Sequence, residues 1–191
     1  MQKEKILKMI ENMALENEGK RLILAIDGRC ASGKTTLADF LQKKLKCCVF
    51  HMDDFFLRPE QRTEERLEEA GGNVDHERFY EEILKPLREG SELIKYRKFS
   101  CKEMKLMPET VIRPEEINIV EGSYSCHPEL FNVYDFRIAL TISEELQKER
   151  IIKRNGPERY EIFKNKWIPL EEKYFRNLNI MERVDLMAEL E

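Results

Sequence analysis

The chain is 191 residues long, 41% hydrophobic and 37% charged, with 33 basic against 37 acidic side chains and a formal charge of −4. That length suits one domain with a full core, and the acid excess speaks against a nucleic-acid-binding face, which needs clustered positive charge. No apolar run approaches the ~18 residues of a membrane-spanning helix, the first residues lack a signal-like apolar stretch, and the five cysteines show no C-x-x-C spacing; the expectation is a cytoplasmic protein with reduced thiols, no membrane and no nucleic-acid partner.

In chain order, Ile6, Ile10, Met13 and Ala14 recur at three- and four-residue spacing and predict an amphipathic helix. Arg21 to Asp27 is almost wholly apolar, the pattern of a strand buried on both faces of a parallel sheet. Gly28 to Gly33 is a small-residue loop, Thr35 to Lys46 a helix with Leu37, Phe40, Leu41 and Leu45 on one face, and Cys47 to Met52 a second strand. Pro59 to Ala70, dense in Glu and Arg, reads as a solvated, mobile helix that breaks at Gly71-Gly72. Asp75 to Arg88 is a helix striped by Phe79, Ile83 and Leu87, and Leu93 to Leu106 alternates weakly, as a strand pair or excursion would. Ile117 to Val120 and Phe136 to Ile142 are the third and fourth core strands. Ser143 to Arg154 is a helix capped by Ser143 and stopped by Asn155-Gly156-Pro157. Tyr160, Phe163, Trp167, Leu170 and Tyr174 mark a long helix with a core-facing stripe and a kink at Pro169. Strands alternating with helices predict an α/β fold of three layers, a parallel central sheet between helices. It forms a single domain over 1–191, with lid and substrate elements at about 53–110 and 150–160.

Residues 28 to 35, Gly28-Arg29-Cys30-Ala31-Ser32-Gly33-Lys34-Thr35, fill every position of G-x-x-x-x-G-K-[ST], between a strand and a helix as that motif requires. Glycines let the backbone curl so that successive N–H groups point at a polyphosphate, and the following helix adds its free amides. Gly28, Ala31, Ser32, Gly33, Lys34, Thr35 and Thr36 are therefore the expected nucleotide-binding set. Lys34 would reach the β- and γ-phosphates and the Thr35 hydroxyl would hold Mg²⁺, so ATP and Mg²⁺ are the expected cofactors. A guanine-reading N-K-x-D is missing, since Asn165-Lys166 is followed by Trp167-Ile168, and no L-S-G-G-Q occurs. A small-molecule kinase fits best.

Ligands of open parallel sheets lie beyond the carboxyl ends of the strands. After the second strand, Asp53 either takes the proton of an acceptor hydroxyl or belongs to an Asp-rich turn, while Asp54 should diverge from it in extended backbone. After the third strand, at a Walker-B-type end, Glu121 either assists Mg²⁺ or is an ordinary strand-end carboxylate. Asp75 is a helix cap or a contact to a substrate hydroxyl. Arg150 and Arg154, one turn apart beside Lys153, either close over a transferring phosphoryl group or form a solvated face, and Arg159 could join such a lid. His51, His76 and His127 have no metal-ligand spacing.

Taken in order, these motifs resemble the uridine kinase family of P-loop nucleoside kinases over about residues 20–178. The loop GRCASGKTT, Asp53-Asp54-Phe55-Phe56, Asn73-Val74-Asp75-His76, Glu121-Gly122 and the segment Arg150 to Arg154 fall where that family has corresponding elements. The resemblance implies that Asp53 is the catalytic base, that Asp75 contacts sugar hydroxyls, that Glu121 assists Mg²⁺ and that Arg150 and Arg154 are lid arginines. It extends the substrate site to Phe56, His76 and Tyr96. One departure stands out: in Tyr96 to Cys101 (YRKFSC), Cys101 occupies the place of a base-reading histidine, and a thiol is a poor donor and acceptor. The implied function is an ATP- and Mg²⁺-dependent kinase acting on a nucleoside-like small molecule, foremost at the 5′-hydroxyl of uridine or a related nucleoside, with homo-oligomerisation left open. Kinases of pantothenate, phosphoribulose or nicotinamide riboside share much of this layout, and a non-catalytic nucleotide-binding regulator is the alternative of a different class.

Overall fold

The structure, a computed structural model, describes residues 2–17 and 19–190. Its centre is β1 (Leu22–Gly28), buried along its whole length as the apolar run predicts. β1 belongs to a five-stranded sheet with β2 (Cys47–His51), β5 (Ile117–Glu121), β6 (Phe136–Thr141) and β7 (Leu186–Glu189), in the order β2-β5-β1-β6-β7 with every neighbouring pair parallel. The register sets Glu121 level with Ile26 on one side and with His51 on the other. The carboxyl ends of β1, β5 and β2 thus finish along one rim, and the segments that follow them share that rim.

Side chains alternate across β1. Leu22, Leu24 and Ile26 pack with Ile6 and Ile10 of α1 (Gln2–Glu16) and with Leu37 and Leu41 of α2 (Lys34–Lys44). Ile23 and Ala25 face the opposite cluster, with Phe50, Phe79, Ile83, Leu87 and Tyr174. Helix, sheet and helix form the three layers expected. Among the described residues no helix is long and apolar enough to cross a membrane.

Two elements differ from the sequence expectation, and a third settles an open alternative. Pro59 to Ala70 is not a mobile helix: it holds a 3₁₀ turn (Pro59–Gln61) and a short α3 (Glu64–Glu68). Glu64 faces Glu68 and Glu65 faces Glu69 one turn on, and like charges at that spacing oppose a longer helix. Arg66 pins the segment by donating to the Gly72 and Val74 carbonyls (3.0 Å each) and pairing with Glu77 at 2.7 Å. The weakly alternating region is the strand pair, one of its two expected forms: a hairpin of β3 (Ile94–Ser100) with β4 (Lys105–Ile112), whose register shifts between Arg97 and Phe99. The edge strand β7 was not foreseen, because four residues of which only Ala188 is buried carry too little pattern.

Two long helices accommodate an interior proline in the same way. α4 (76–88) widens into a π turn at Tyr80–Leu84 just before Pro86. The helix after α5 (Glu144–Asn155), α6 (157–177), does so at Phe163–Trp167 just before Pro169. Proline has no N–H for the i−4 carbonyl, and a wider turn relieves its ring. α5 itself is capped by Ser143, whose hydroxyl accepts from the Leu146 amide, and ends at Gly156, as predicted.

Candidate active site

The phosphate loop owes its shape to two glycines. A Cβ on Gly28 would lie 2.3 Å from the Leu140 carbonyl of β6, so only glycine lets the strands approach there. Gly33, at φ 101°, heads α2 with no side chain capping it, so the first amides of that helix stay free for a ligand. Over this loop opens a cavity of about 570 Å³, lined by Ala31, Gly33, Lys34, Thr35 and Thr36 from the loop and the start of α2 and by Asp53, Phe56, Asn73, Glu121 and Tyr124 from other segments. Gly28 and Ser32 shape the loop rather than line the cavity, and the Ser32 hydroxyl is fully buried. Lys34 Nζ turns back onto the Gly28 and Arg29 carbonyls at 2.8 and 3.0 Å and lies 3.3 Å from Ser123 Oγ.

Glu121, at the end of β5, receives the Thr35 hydroxyl on Oε2 at 3.2 Å and meets His51 Nδ1 on Oε1 at 2.6 Å. That hydrogen bond holds the His51 imidazole above its usual value. A hydroxyl beside a carboxylate is the hard-oxygen donor set that Mg²⁺ prefers. Among the described residues no three His, Cys, Asp or Glu side chains gather to hold a metal alone. Thr35 and Glu121 would therefore hold Mg²⁺ together with phosphate oxygens and water, as is usual in phosphate sites.

Asp53 sits in a 3₁₀ turn (Met52–Phe55), not in extended backbone. The two acids still diverge: Asp53 lines the cavity, while Asp54 pairs with Lys98 of β3 at 2.8 Å. Asp53 is open on the cavity side, with protein behind it. That burial pushes its carboxyl up, Lys34 pulls it down, and Glu121 and Glu171 push it up further.

Several expected site residues are placed elsewhere. Asp75 is the cap of α4, accepting from the Arg78 amide at 3.1 Å, and its carboxylate pairs with Arg78 at 3.3 Å and lies 3.8 Å from Arg58. His76 stacks on His127 with ring centroids 3.9 Å apart and has Nδ1 3.1 Å from Arg66. The Tyr96 ring packs on Phe50 and Phe55 inside the core. None of the three lines the cavity: Asp75 takes the cap role that was one of its two readings, while His76 and Tyr96 are drawn into local partner sets that sequence spacing does not display; of the expected substrate residues, Asp53 and Phe56 do line it. Cys101 is exposed in the hairpin turn. Arg150 and Arg154 both line the cavity, but Arg150 is braced onto the carbonyls of Ala31 (3.3 Å) and Leu190 (2.9 Å), whereas Arg154 is exposed, donates to the neighbouring Asn155 at 2.8 Å and lies over the Phe163 ring. Arg159 is exposed and outside the lining.

Sequence reasoning missed a second set. Asp27 is wholly buried and accepts from the amides of Gly28 (2.6 Å), Tyr124 (3.2 Å) and Cys126 (2.8 Å) and from the Tyr174 hydroxyl (2.7 Å). Burial pushes its carboxyl up, and these donors pull it back. Tyr124 stands at φ 73°, an uncommon conformation for a bulky residue, in the loop that flanks Glu121. Ser123, Glu171, Phe163 and Trp167 also line the cavity. The aromatic stripe therefore splits: Phe163 and Trp167, in the π turn, line the cavity, and Tyr174, in the α-helix that follows, packs in the core. A lone acid directly before the first loop glycine was the available signal for Asp27; nothing marked the others.

A five-stranded parallel sheet with a phosphate loop after its central strand and carboxylates after two neighbouring strands is the fold of the P-loop kinases. The chain is similar to uridine kinase-like protein 3 of Arabidopsis thaliana, 26% identical over 160 residues that cover 78% of this chain and 34% of that protein. The chain thus spans about a third of the length of the curated relative it matches. Its fold is that of a protein described as a "possible uridine kinase" from Bacillus stearothermophilus, with a TM-score of 0.69 and 21% identity over 97% of this chain and 100% of the other. A Silicibacter protein provisionally described as a fructose transport system kinase follows at TM-score 0.65 and 20% identity, over 92% and 98%. No family model matches the chain.

Proposed function

We propose that the protein transfers the γ-phosphoryl group of ATP to a primary hydroxyl of a small molecule, foremost the 5′-hydroxyl of uridine or a related nucleoside. The observation that carries this reading is the convergence of Lys34, Thr35, Glu121 and Asp53 on one cavity. The loop amides and Lys34 hold the triphosphate tail. Asp53 lines the same cavity, where it orients the acceptor hydroxyl and takes its proton as the new oxygen–phosphorus bond forms and the bond to the β-phosphate oxygen breaks, releasing ADP. Mg²⁺ on Thr35 and Glu121 supplies neutralisation of the phosphate charge. Arg154, exposed and held only by Asn155 and the Phe163 ring among the described residues, can move onto the same charge. On this reading the protein is a cytoplasmic enzyme whose partner is a metabolite rather than a nucleic acid or a membrane.

A second reading, a kinase of a different metabolite, is favoured by one specific corner. Tyr96 is buried, Asp75 is paired with arginine, and Cys101 stands exposed where a base-reading imidazole would be expected. Incubation of the purified protein with Mg²⁺, γ-labelled ATP and separate pools of nucleosides, sugars and vitamin-like alcohols tests both. Label in the nucleoside pool supports the first reading, and label in another pool the second. ATP bound but no label transferred to any pool would instead mark a nucleotide-binding regulator.

A further inference from the structure

We propose that Glu171 is a positioning residue for the phosphate-binding lysine, acting on Lys34 through the hydroxyl of Ser123. The inference rests on the triphosphate-binding reading of the loop. Glu171 is almost completely buried, at 4% exposure, yet among the described residues its carboxylate forms no ion pair with an arginine or lysine. Its oxygens accept from neutral donors: Oε1 from Ser123 Oγ at 2.7 Å and Oε2 from the Cys30 amide at 2.8 Å. A buried carboxylate is costly without charge compensation. Two cations offset it at longer range: Arg29, and Lys34, whose ammonium lies 3.3 Å from the same Ser123 oxygen.

The direction of the hydrogen bonds follows from proton counting. A serine hydroxyl has one proton and two lone pairs. With the proton committed to Glu171, a lone pair is left to face Lys34, and the hydroxyl serves as an acceptor on the cavity side of the ammonium. The other two acceptors, the Gly28 and Arg29 carbonyls, lie at the start of the loop. Ser123 is thus the contact that aims Lys34 across the cavity, and Glu171 fixes how Ser123 is turned.

Anchoring α6 to the loop does not require Glu171. Glu172 already pairs with Arg29, and the Tyr174 hydroxyl already donates to Asp27 at 2.7 Å. What Glu171 adds is a negative charge set behind the serine that touches the lysine.

The test uses the full chain and its single tryptophan, Trp167, which lines the cavity and reports ligand uptake by fluorescence. Mg·ATP and AMP are titrated into the native protein, Glu171→Gln, Ser123→Ala and the double variant. The expected result is about a tenfold weakening of ATP binding in each single variant, the scale of one hydrogen bond to a charged group. AMP binding should stay unchanged, because its one phosphate does not reach Lys34. The double variant should be no worse than either single, as for two members of one chain of contacts. Equal loss of ATP and AMP binding, unchanged ATP binding, or losses that multiply in the double variant would each overturn the proposal. Should Glu171→Gln fail to fold, Ser123→Ala decides alone by its ATP-to-AMP ratio. A native protein that takes up neither nucleotide sinks the parent reading instead, which is a distinguishable failure.

Discussion

The two halves of the cavity are built on different plans. The donor half is one contiguous stretch of main chain, residues 28 to 36, curled by Gly28 and Gly33 and continued by the uncapped start of α2. The acceptor half is assembled from side chains of separate elements: Asp53 and Phe56 after β2, Asn73 before α4, and Tyr124 after β5. Backbone amides bind phosphate whatever the neighbouring side chains are, so a turn and a helix start suffice to write the site in eight letters. Side-chain sites need several segments delivered to one place, and the delivery is done by the sheet register and by packing.

The largest expected effect breaks the acceptor half alone. Asp53→Asn should keep triphosphate binding and lose turnover by about 10²–10⁴, the range of a general base. Near-native turnover in that variant would remove Asp53 from the chemistry. The native pH profile sharpens the point. Asp53 must be ionised to accept a proton, and burial holds its carboxyl above the usual aspartate range. The acid limb of kcat/KM should therefore fall away at a higher pH than the ~3.9 of a free aspartate. An acid limb at or below that value would mean that a different group titrates.

This division explains what was legible in the sequence. The buried run before Gly28, the loop itself, Glu121 at a strand end and the capping of α5 by Ser143 are local signals, and the structure places each as read. Asp53 was found by its position after a strand, although its backbone is a 3₁₀ turn. Tyr96 and Asp75 were expected in the site from motif order, but order does not say which way a side chain turns: Tyr96 falls on the core side of the hairpin, and Asp75 is held by its own helix and by Arg78. Ser123, Tyr124 and Glu171 carried no local signal, since their role comes from contacts with residues far away in the chain.

The halves are joined at Asp27, and the next prediction tests that joint. Tyr174→Phe removes one of four donors from a carboxylate with no access to water. It should cost about 1–3 kcal/mol of stability, the penalty of an under-satisfied buried group, read as a lower urea midpoint with an unchanged slope. An unchanged midpoint would mean that the three amides satisfy Asp27 by themselves.

A smaller, pH-dependent effect belongs to the acceptor side. Burial, then the neighbouring His76 and Arg66, push the His127 imidazole down to about 3, and burial lowers His76 as well. Between the ordinary histidine range, ~6.5, and that low value, the unfolded chain binds a proton on His127 that the folded chain refuses. Stability contributed by this group is therefore full above the ordinary range and drains away as the pH falls. His127→Phe, which keeps a ring against His76 at the 3.9 Å stack, should flatten the loss of thermal midpoint between neutral pH and pH 4. A slope as steep as the native one would clear the pair of this role.

The smallest effect is the most telling for the acceptor. Tyr96 is 4% exposed, its ring stacked on Phe55 with centroids 5.7 Å apart and set edge-on to Phe50 at 6.2 Å, and burial raises its hydroxyl above the usual value. Tyr96→Phe retains the ring and its packing and removes only the hydroxyl. If the acceptor is recognised on the Asp53–Phe56–Asn73–Tyr124 wall, its KM should stay within about twofold, well below the ~1.4 kcal/mol of a tenfold change in a binding constant. A rise of tenfold or more, with stability unchanged, would show the hairpin turning Tyr96 toward bound substrate and would restore the nucleoside-reading corner that this conformation leaves closed. The variant thus separates an acceptor held by a preformed wall from one that the 94–112 hairpin must rearrange to receive.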